Sequence, residues 1–175
     1  CNTATSAAAL YLRELFPEDI IIGMEPAVKP AVEALQDESK SDKTKKKILI
    51  MATEHTIQGE RLHQLISRFG DPSQFLLLPS PGIVRLLEAG KGDSPEMKDY
   101  LHQLLLPYQK EAISSIVLGC THFPFVKEQI QKALPYPVQF FDGAEGTAKE
   151  TRHRLEERGL LKEGMQKGEV VLFSS

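Results

Sequence analysis

No stretch of this 175-residue chain is apolar for long enough to cross a bilayer as a helix, and no signal peptide is visible. A basic surplus is also missing: 21 Lys and Arg stand against 24 Asp and Glu, a net charge of −3. A general nucleic-acid binder normally carries the opposite balance, so that class is disfavoured. Cysteine is scarce. Two residues, Cys1 and Cys120, are too few for a disulfide scaffold, and the default compartment is a reducing cytosol in which both are free thiols. An initiator Met is lacking, and residue 1 falls directly inside a motif with no strand before it. A mature lipoprotein also begins with Cys but usually continues into a polar linker, not Thr-Ala-Thr-Ser-Ala-Ala-Ala. The expectation is a segment of a longer protein. What is present, 41% hydrophobic and 26% charged residues, is ordinary globular composition, enough for one good core or two small lobes sharing an interface.

Helix-like and strand-like stretches alternate. Residues 3–16 are Ala- and Leu-rich at helical spacing and stop before Pro17. Ile20–Met24 reads as a short strand, and Glu25–Leu35 as a helix with its prolines near the first turn. Residues 36–47 form a charged, Ser-rich loop, and the Lys45-Lys46-Lys47 run reads as its solvated flank. Strands are then expected at 48–53, 75–78, 115–119 and 138–142, with a further short one at 170–173. Helices are expected at 57–69, 83–89, 96–106, 126–134 and 147–158, with Pro124 setting the start of the one after Cys120. This βαβα order predicts an α/β fold with a parallel sheet and helices on both faces. Ligands bind such sheets outside the carboxyl ends of the strands. Thr53, Cys120 and Asp142 all sit at such ends.

Cys120 follows a strand and Gly119, which permits a tight backbone and close ligand approach. If a helix begins just after it, free N–H groups and partial positive charge lower the thiol pKa from about 8.5 toward neutrality and can hold a carboxylate. His122 is placed to exchange a proton with the thiol or to orient it. The alternative for Cys120 alone is a buried structural cysteine. Cys1 repeats the pattern, with Asn2 and Thr3 following it at the opening of a helix. Two thiols on opposite faces of a carbon remove a proton from one side and deliver one to the other, which is racemisation by general acid–base catalysis. Hydrolysis or acyl transfer needs only one nucleophilic cysteine. A zinc site needs four ligands, and Cys120-Thr121-His122 supplies two with poor spacing. His55, His63, His102 and His153 are scattered without ligand spacing and read as surface or helix-face residues.

CNTATSAA and LGCTHFPF resemble the two signature motifs of bacterial glutamate racemases in the aspartate/glutamate racemase superfamily. IGMEPAVKPAVEA, MATEHTI and SPGIVRLLEAG resemble the intervening segments in order, so the likeness runs from Cys1 to about Glu150. His122 matters most, because aspartate racemases of the superfamily more typically carry Glu there. The resemblance implies two pseudo-symmetric parallel-sheet lobes, the first incomplete, with residues 1–27 and 138–175 as its remainder and 28–137 as the second lobe. It implies cofactor-independent interconversion of L- and D-glutamate, supplying peptidoglycan synthesis in the cytoplasm, with no metal. Cys1 and Cys120 are implied as the acid/base pair, Cys120 acting on L-glutamate and Cys1 on D-glutamate. Asn2, Thr3, Thr121 and His122 are implied to bind the substrate, with His122 also assisting Cys120. Glu88 matches a family glutamate near the pocket, although a lone Glu at a helix end is usually a solvated charge.

Family members carry an Asp-Ser-Gly and then a Tyr-Gly motif upstream of the first cysteine, and neither is present here. The Asp is thought to partner that cysteine, so the isolated 175 residues are expected to be poorly active. Gly59 and Leu62 stand where a Ser and a Tyr are often found. The expected partner is glutamate, with neither nucleic acid nor membrane, and a homodimer is left open. The rival readings are a racemase of another acidic amino acid and a truncated, non-catalytic relative.

Overall fold

The computed structural model describes residues 1–39, 46–162, 164 and 168–173. Four strands form one parallel sheet in the order β2-β1-β3-β4: β1 (Lys47–Ala52), β2 (Phe75–Pro79), β3 (Ile113–Leu118) and β4 (Gln139–Asp142). Parallel neighbours need crossover connections, and helices supply them. α3 (Glu54–Gln58) and α4 (Glu60–Phe69) join β1 to β2; α5 (Pro81–Glu88) and α6 (Pro95–Leu105) join β2 to β3; α7 (Lys127–Lys132) joins β3 to β4. α1 (Asn2–Leu15) and α2 (Val28–Ser39) precede the sheet, and α8 (Ala144–Glu157) follows it. The α/β class, with a parallel sheet and helices on both faces, is as expected.

Side chains of a strand alternate between its faces, and β1 shows what that achieves at the centre of a sheet. Leu49 and Met51 enter a core with Ile116 and Leu118, closed by Ile83 of α5, by Met97, Leu101 and Leu105 of α6, and by Ile130 of α7. Ile48, Ile50 and Ala52 enter a second core with Val117, closed by Val28, Ala31, Val32 and Leu35 of α2 and by Leu62 and Ile66 of α4. A strand covered on both faces must be apolar throughout, which is why ILIMA reads as an unbroken run.

Several boundaries move. The expected helix 57–69 is two, broken at Gly59, whose backbone is extended (φ −71°, ψ 132°) and which caps α4. α2 starts at Val28 instead of Glu25, leaving Pro30 within its first turn. Before Lys127 there is a short 3-10 helix, Phe123–Val126, containing Pro124. Ile20–Met24 is not a strand. Its backbone finds side-chain partners instead: Arg13 donates to the Ile21 carbonyl at 3.1 and 3.2 Å, and the Met24 N–H donates to Thr5 Oγ1 at 2.9 Å. Val170–Phe173 is not a strand either; its side chains are exposed, and no sheet partner pairs with it among the described residues. Of the expected charged loop 36–47, α2 takes up residues as far as Ser39 and β1 opens at Lys47; positions 40–45, including Lys45, lie outside the described residues. β4, within the 138–175 stretch, pairs with β3 in the single sheet present among the described residues. No helix among them is long and apolar enough to cross a membrane.

Candidate active site

The register aligns Ala52 with Pro79, Met51 with Leu118, and Leu118 with Asp142, so the residues leaving these strands collect along one edge of the sheet. The chain leaves β3 through Gly119, whose N–H donates to the Met51 carbonyl at 2.8 Å. A Cβ on Gly119 would lie 2.9 Å from Ala52 Cβ and 3.0 Å from that same carbonyl oxygen. Glycine is therefore needed for close approach, and its φ is not in the left-handed region.

Cys120 is buried at 8% exposure, beside the strand end. Its Sγ lies 3.7 Å from His122 Nδ1, and His122 Nε2 lies 2.6 Å from Glu88 Oε1. An ionised carboxylate only accepts, so Nε2 carries a proton and donates it to Glu88. In the neutral ring, Nδ1 then faces the thiol with a lone pair. The three residues form a line in which imidazole is oriented by carboxylate and can take the thiol's proton. Glu88 is the last residue of α5, and this is how a side chain 34 positions before His122 reaches it.

The thiol's electrostatics depart from expectation. α7 begins only at Lys127, after the 3-10 turn, so no α-helix opens at Cys120. Burial pushes the Cys120 thiol up, outweighing the hydrogen bond from the His122 backbone N–H, which pulls it down.

Cys1 is exposed and Cys120 buried, both as free thiols. Cys1 precedes α1 and offers its carbonyl to the Thr5 N–H at 3.0 Å, with no side-chain cap. Asn2 is buried at 5% exposure, and its Oδ1 has no hydrogen-bond partner among the described residues. Thr3 Oγ1 lies 3.0 Å from Thr53 Oγ1, which lies 3.0 Å from Thr56 Oγ1. Thr121 is exposed beside Cys120. The structure thus joins Glu88, His122 and Cys120 in one line and ties Thr3 to the end of β1. Asp142 is engaged elsewhere, accepting from the Ala144 N–H at 2.8 Å. His63 contacts the Ile57 carbonyl and His153 pairs with Glu157, while His55 and His102 are exposed. Thr56 was not singled out by the sequence; the available signal was the Thr-x-x-Thr spacing, in which Thr53 caps α3 by accepting from the Thr56 N–H. A groove between α7 and β4, bordered by Lys127, Gln131, Gln139 and Phe140, contains none of these residues.

Residues 1–151 match the family described as Asp/Glu/Hydantoin racemase. The chain belongs to that family. Over its full length it is 42% identical to a glutamate racemase of Clostridium perfringens and 38% identical to one of Clostridium acetobutylicum. It spans 64% and 65% of those relatives. Among solved structures, an Escherichia coli glutamate racemase bound to L-glutamate and the activator UDP-MurNAc-Ala superposes with a TM-score of 0.74 at 32% identity, covering 89% of this chain and 56% of that one. The RacE1 glutamate racemase of Bacillus anthracis gives 0.70 at 29% identity, covering 92% and 57%. Within this racemase family member, the family match takes in both cysteine motifs, Glu88 and the three threonines.

Proposed function

We propose that the protein interconverts L- and D-glutamate without a cofactor, using Cys120 and Cys1 as the acid/base pair. The observation that carries this reading is the Cys120–His122–Glu88 line at the carboxyl edge of the sheet, with α1, which opens directly after Cys1, tied to the neighbouring strand end by Thr3 and Thr53. Likeness to glutamate racemases over the whole chain supports glutamate as substrate.

The geometry suits the chemistry. A thiol with a raised pKa is a stronger base once ionised, which helps it remove a weakly acidic α-proton, but less of it is ionised at neutral pH. His122 Nδ1 offsets that by accepting the thiol proton as the reaction begins. In the L-to-D direction, the Cys120 thiolate takes the α-proton of L-glutamate and becomes a thiol. The carbanion then receives a proton on its opposite face from the Cys1 thiol, which is left as thiolate. The reverse reaction exchanges the two roles. Asn2, Thr3, Thr121 and His122 hold the substrate's carboxylates and ammonium, with the buried Asn2 Oδ1 and the Thr3 hydroxyl as polar groups already in place.

The product D-glutamate serves peptidoglycan synthesis, and hence cell shape, in the cytoplasm. Residues 1–27 belong to one lobe and 28–142, which holds the four-stranded sheet with β4, to a second, and the 175 residues alone turn glutamate over poorly. The test is exchange of the α-proton with deuterated water, followed by NMR on each enantiomer, using the protein expressed from its complete reading frame. The wild type should exchange both enantiomers. Cys120→Ala should abolish exchange of L-glutamate; retention in both directions would sink the two-thiol reading.

A further inference from the structure

Three hydroxyls meet between the segment that follows Cys1 and the strand end beside Cys120. Thr3 Oγ1 to Thr53 Oγ1 is 3.0 Å, Thr53 Oγ1 to Thr56 Oγ1 is 3.0 Å, and Thr3 Oγ1 to Thr56 Oγ1 is 3.5 Å. Thr53 directly follows β1, whose Met51 carbonyl receives the Gly119 N–H, so the cluster sits one strand away from Cys120. It links α1 to that strand across 50 positions of sequence.

Counting protons gives the cluster a direction. A hydroxyl has one proton to donate and two lone pairs. One lone pair of Thr53 Oγ1 accepts from the Thr56 N–H at 3.3 Å. One proton and one lone pair remain for two neighbours, so one neighbour donates into Thr53 and the other accepts from it. Thr56 is buried at 5% exposure, whereas Thr3 is half-buried. If Thr3 donated to Thr53, the buried Thr56 proton would have only Thr3 to turn to among the described residues, at the 3.5 Å limit of a hydrogen bond. Leaving a buried donor without a good partner is costly. The favoured order is therefore Thr56 to Thr53 to Thr3, and it leaves the Thr3 proton without a good acceptor inside the cluster, Thr56 Oγ1 lying at the 3.5 Å limit.

We propose that Thr53 and Thr56 are positioning residues that set the polarity of the Thr3 hydroxyl, so that Thr3 donates to a substrate carboxylate. A carboxylate only accepts hydrogen bonds; an ammonium would need the opposite polarity. The inference rests on the racemase reading above and adds to it how the pocket is biased toward an anionic group.

The test uses the protein from its complete reading frame, with glutamate of both configurations, and reads KM and kcat separately. Thr53→Val and Thr56→Val keep the side-chain shape and remove the hydroxyl. Each should raise KM about tenfold, the worth of one hydrogen bond to a charged group, with kcat changed less than about threefold. Thr53→Ser should restore KM to within about threefold of wild type. Because Thr53 acts through Thr3, the double variant Thr3→Val/Thr53→Val should be no worse than Thr3→Val alone. An unchanged KM in both valine variants, or single effects that multiply in the double variant, would overturn the inference. If Thr53→Val does not fold by thermal melting, Thr56→Val, which leaves the Thr53 cap in place, decides. A wild type that fails to racemise glutamate overturns the racemase reading and takes this inference with it. An active wild type with unperturbed variants overturns this inference alone.

Discussion

His122 Nε2 and Glu88 Oε1 lie 2.6 Å apart, and this contact decides which face of the imidazole meets the thiol of Cys120. The carboxylate fixes the proton on Nε2, so Nδ1 is left as the acceptor 3.7 Å from Sγ. Replacing Glu88 by Ala frees the ring to adopt the other tautomer. The Glu88 side chain is 70% exposed, so solvent weakens its hold and the effect should be moderate. The expected outcome is a fall in kcat of about threefold to tenfold, larger when L-glutamate is the substrate, because Cys120 is then the base. Glu88→Gln keeps an acceptor oxygen and should lose less. Initial rates in both directions check this, and equal losses in the two directions would separate Glu88 from Cys120.

Burial raises the Cys120 thiol above its ordinary value, and the sign of the pH dependence follows. Below the ordinary thiol range both the folded and the unfolded chain hold the proton, and the group contributes no slope. Above it the unfolded chain releases its proton first, so the folded state binds more protons and stability falls as pH rises, until the folded value is passed. Thermal unfolding across the alkaline range should therefore fall more steeply for wild type than for Cys120→Ser. Thiolate absorbance of a Cys1→Ser variant should also rise at higher pH than that of a free thiol. A Cys120→Ser profile parallel to wild type would remove the buried thiol as the cause.

Gly119→Ala places a methyl 2.9 Å from Ala52 Cβ and 3.0 Å from the Met51 carbonyl oxygen, and neither can move without bending β1. Both contacts lie where the two central strands pair, so relief would come from shifting the turn that carries Cys120. Overpacking of this kind costs about 1–3 kcal/mol. Denaturant unfolding should show that loss, and turnover should fall with it. Wild-type stability in this variant would mean that the strand ends are looser than the distances imply.

Sequence patterning located the sheet because burial on both faces leaves an unmistakable mark: Ile48–Ala52 is apolar at every position and fully buried. The same reasoning misplaced Ile20–Met24, which is just as apolar. Its Met24 N–H and Ile21 carbonyl pair with the Thr5 and Arg13 side chains instead of a neighbouring strand, and periodicity reports burial without saying what supplies the hydrogen bonds. At the site, the neighbours Cys120 and His122 were legible from their spacing, whereas Glu88 was placed near the pocket only by family likeness, and its contact with His122 emerged from the structure. The Thr3–Thr53–Thr56 cluster was not legible as a unit, since it joins residues 50 and 53 positions apart. The thiol shift was misjudged for a local reason. A 3-10 turn around Pro124 separates Cys120 from the helix whose N-terminus was expected to lower it.

Gly82 provides a test of whether α5 aims Glu88. It is the second residue of that helix, its N–H donates to Tyr100 Oη at 3.1 Å, and a Cβ there would lie 2.5 Å from Tyr100 Cε2. A tyrosine ring wedged against a helix cannot yield as a lysine tip would, so Gly82→Ala must either expel the ring or tilt α5. Stability should fall by about 1–3 kcal/mol in denaturant unfolding, from overpacking and the strained hydrogen bond. If α5 tilts, Glu88 at its far end loses its alignment with His122, and kcat falls as it does in Glu88→Ala. Adding Gly82→Ala to Glu88→Ala should then cost stability again but no further kcat. A Gly82→Ala protein that loses stability yet keeps wild-type kcat would show that the ring gives way and that α5 holds its direction by its core contacts alone.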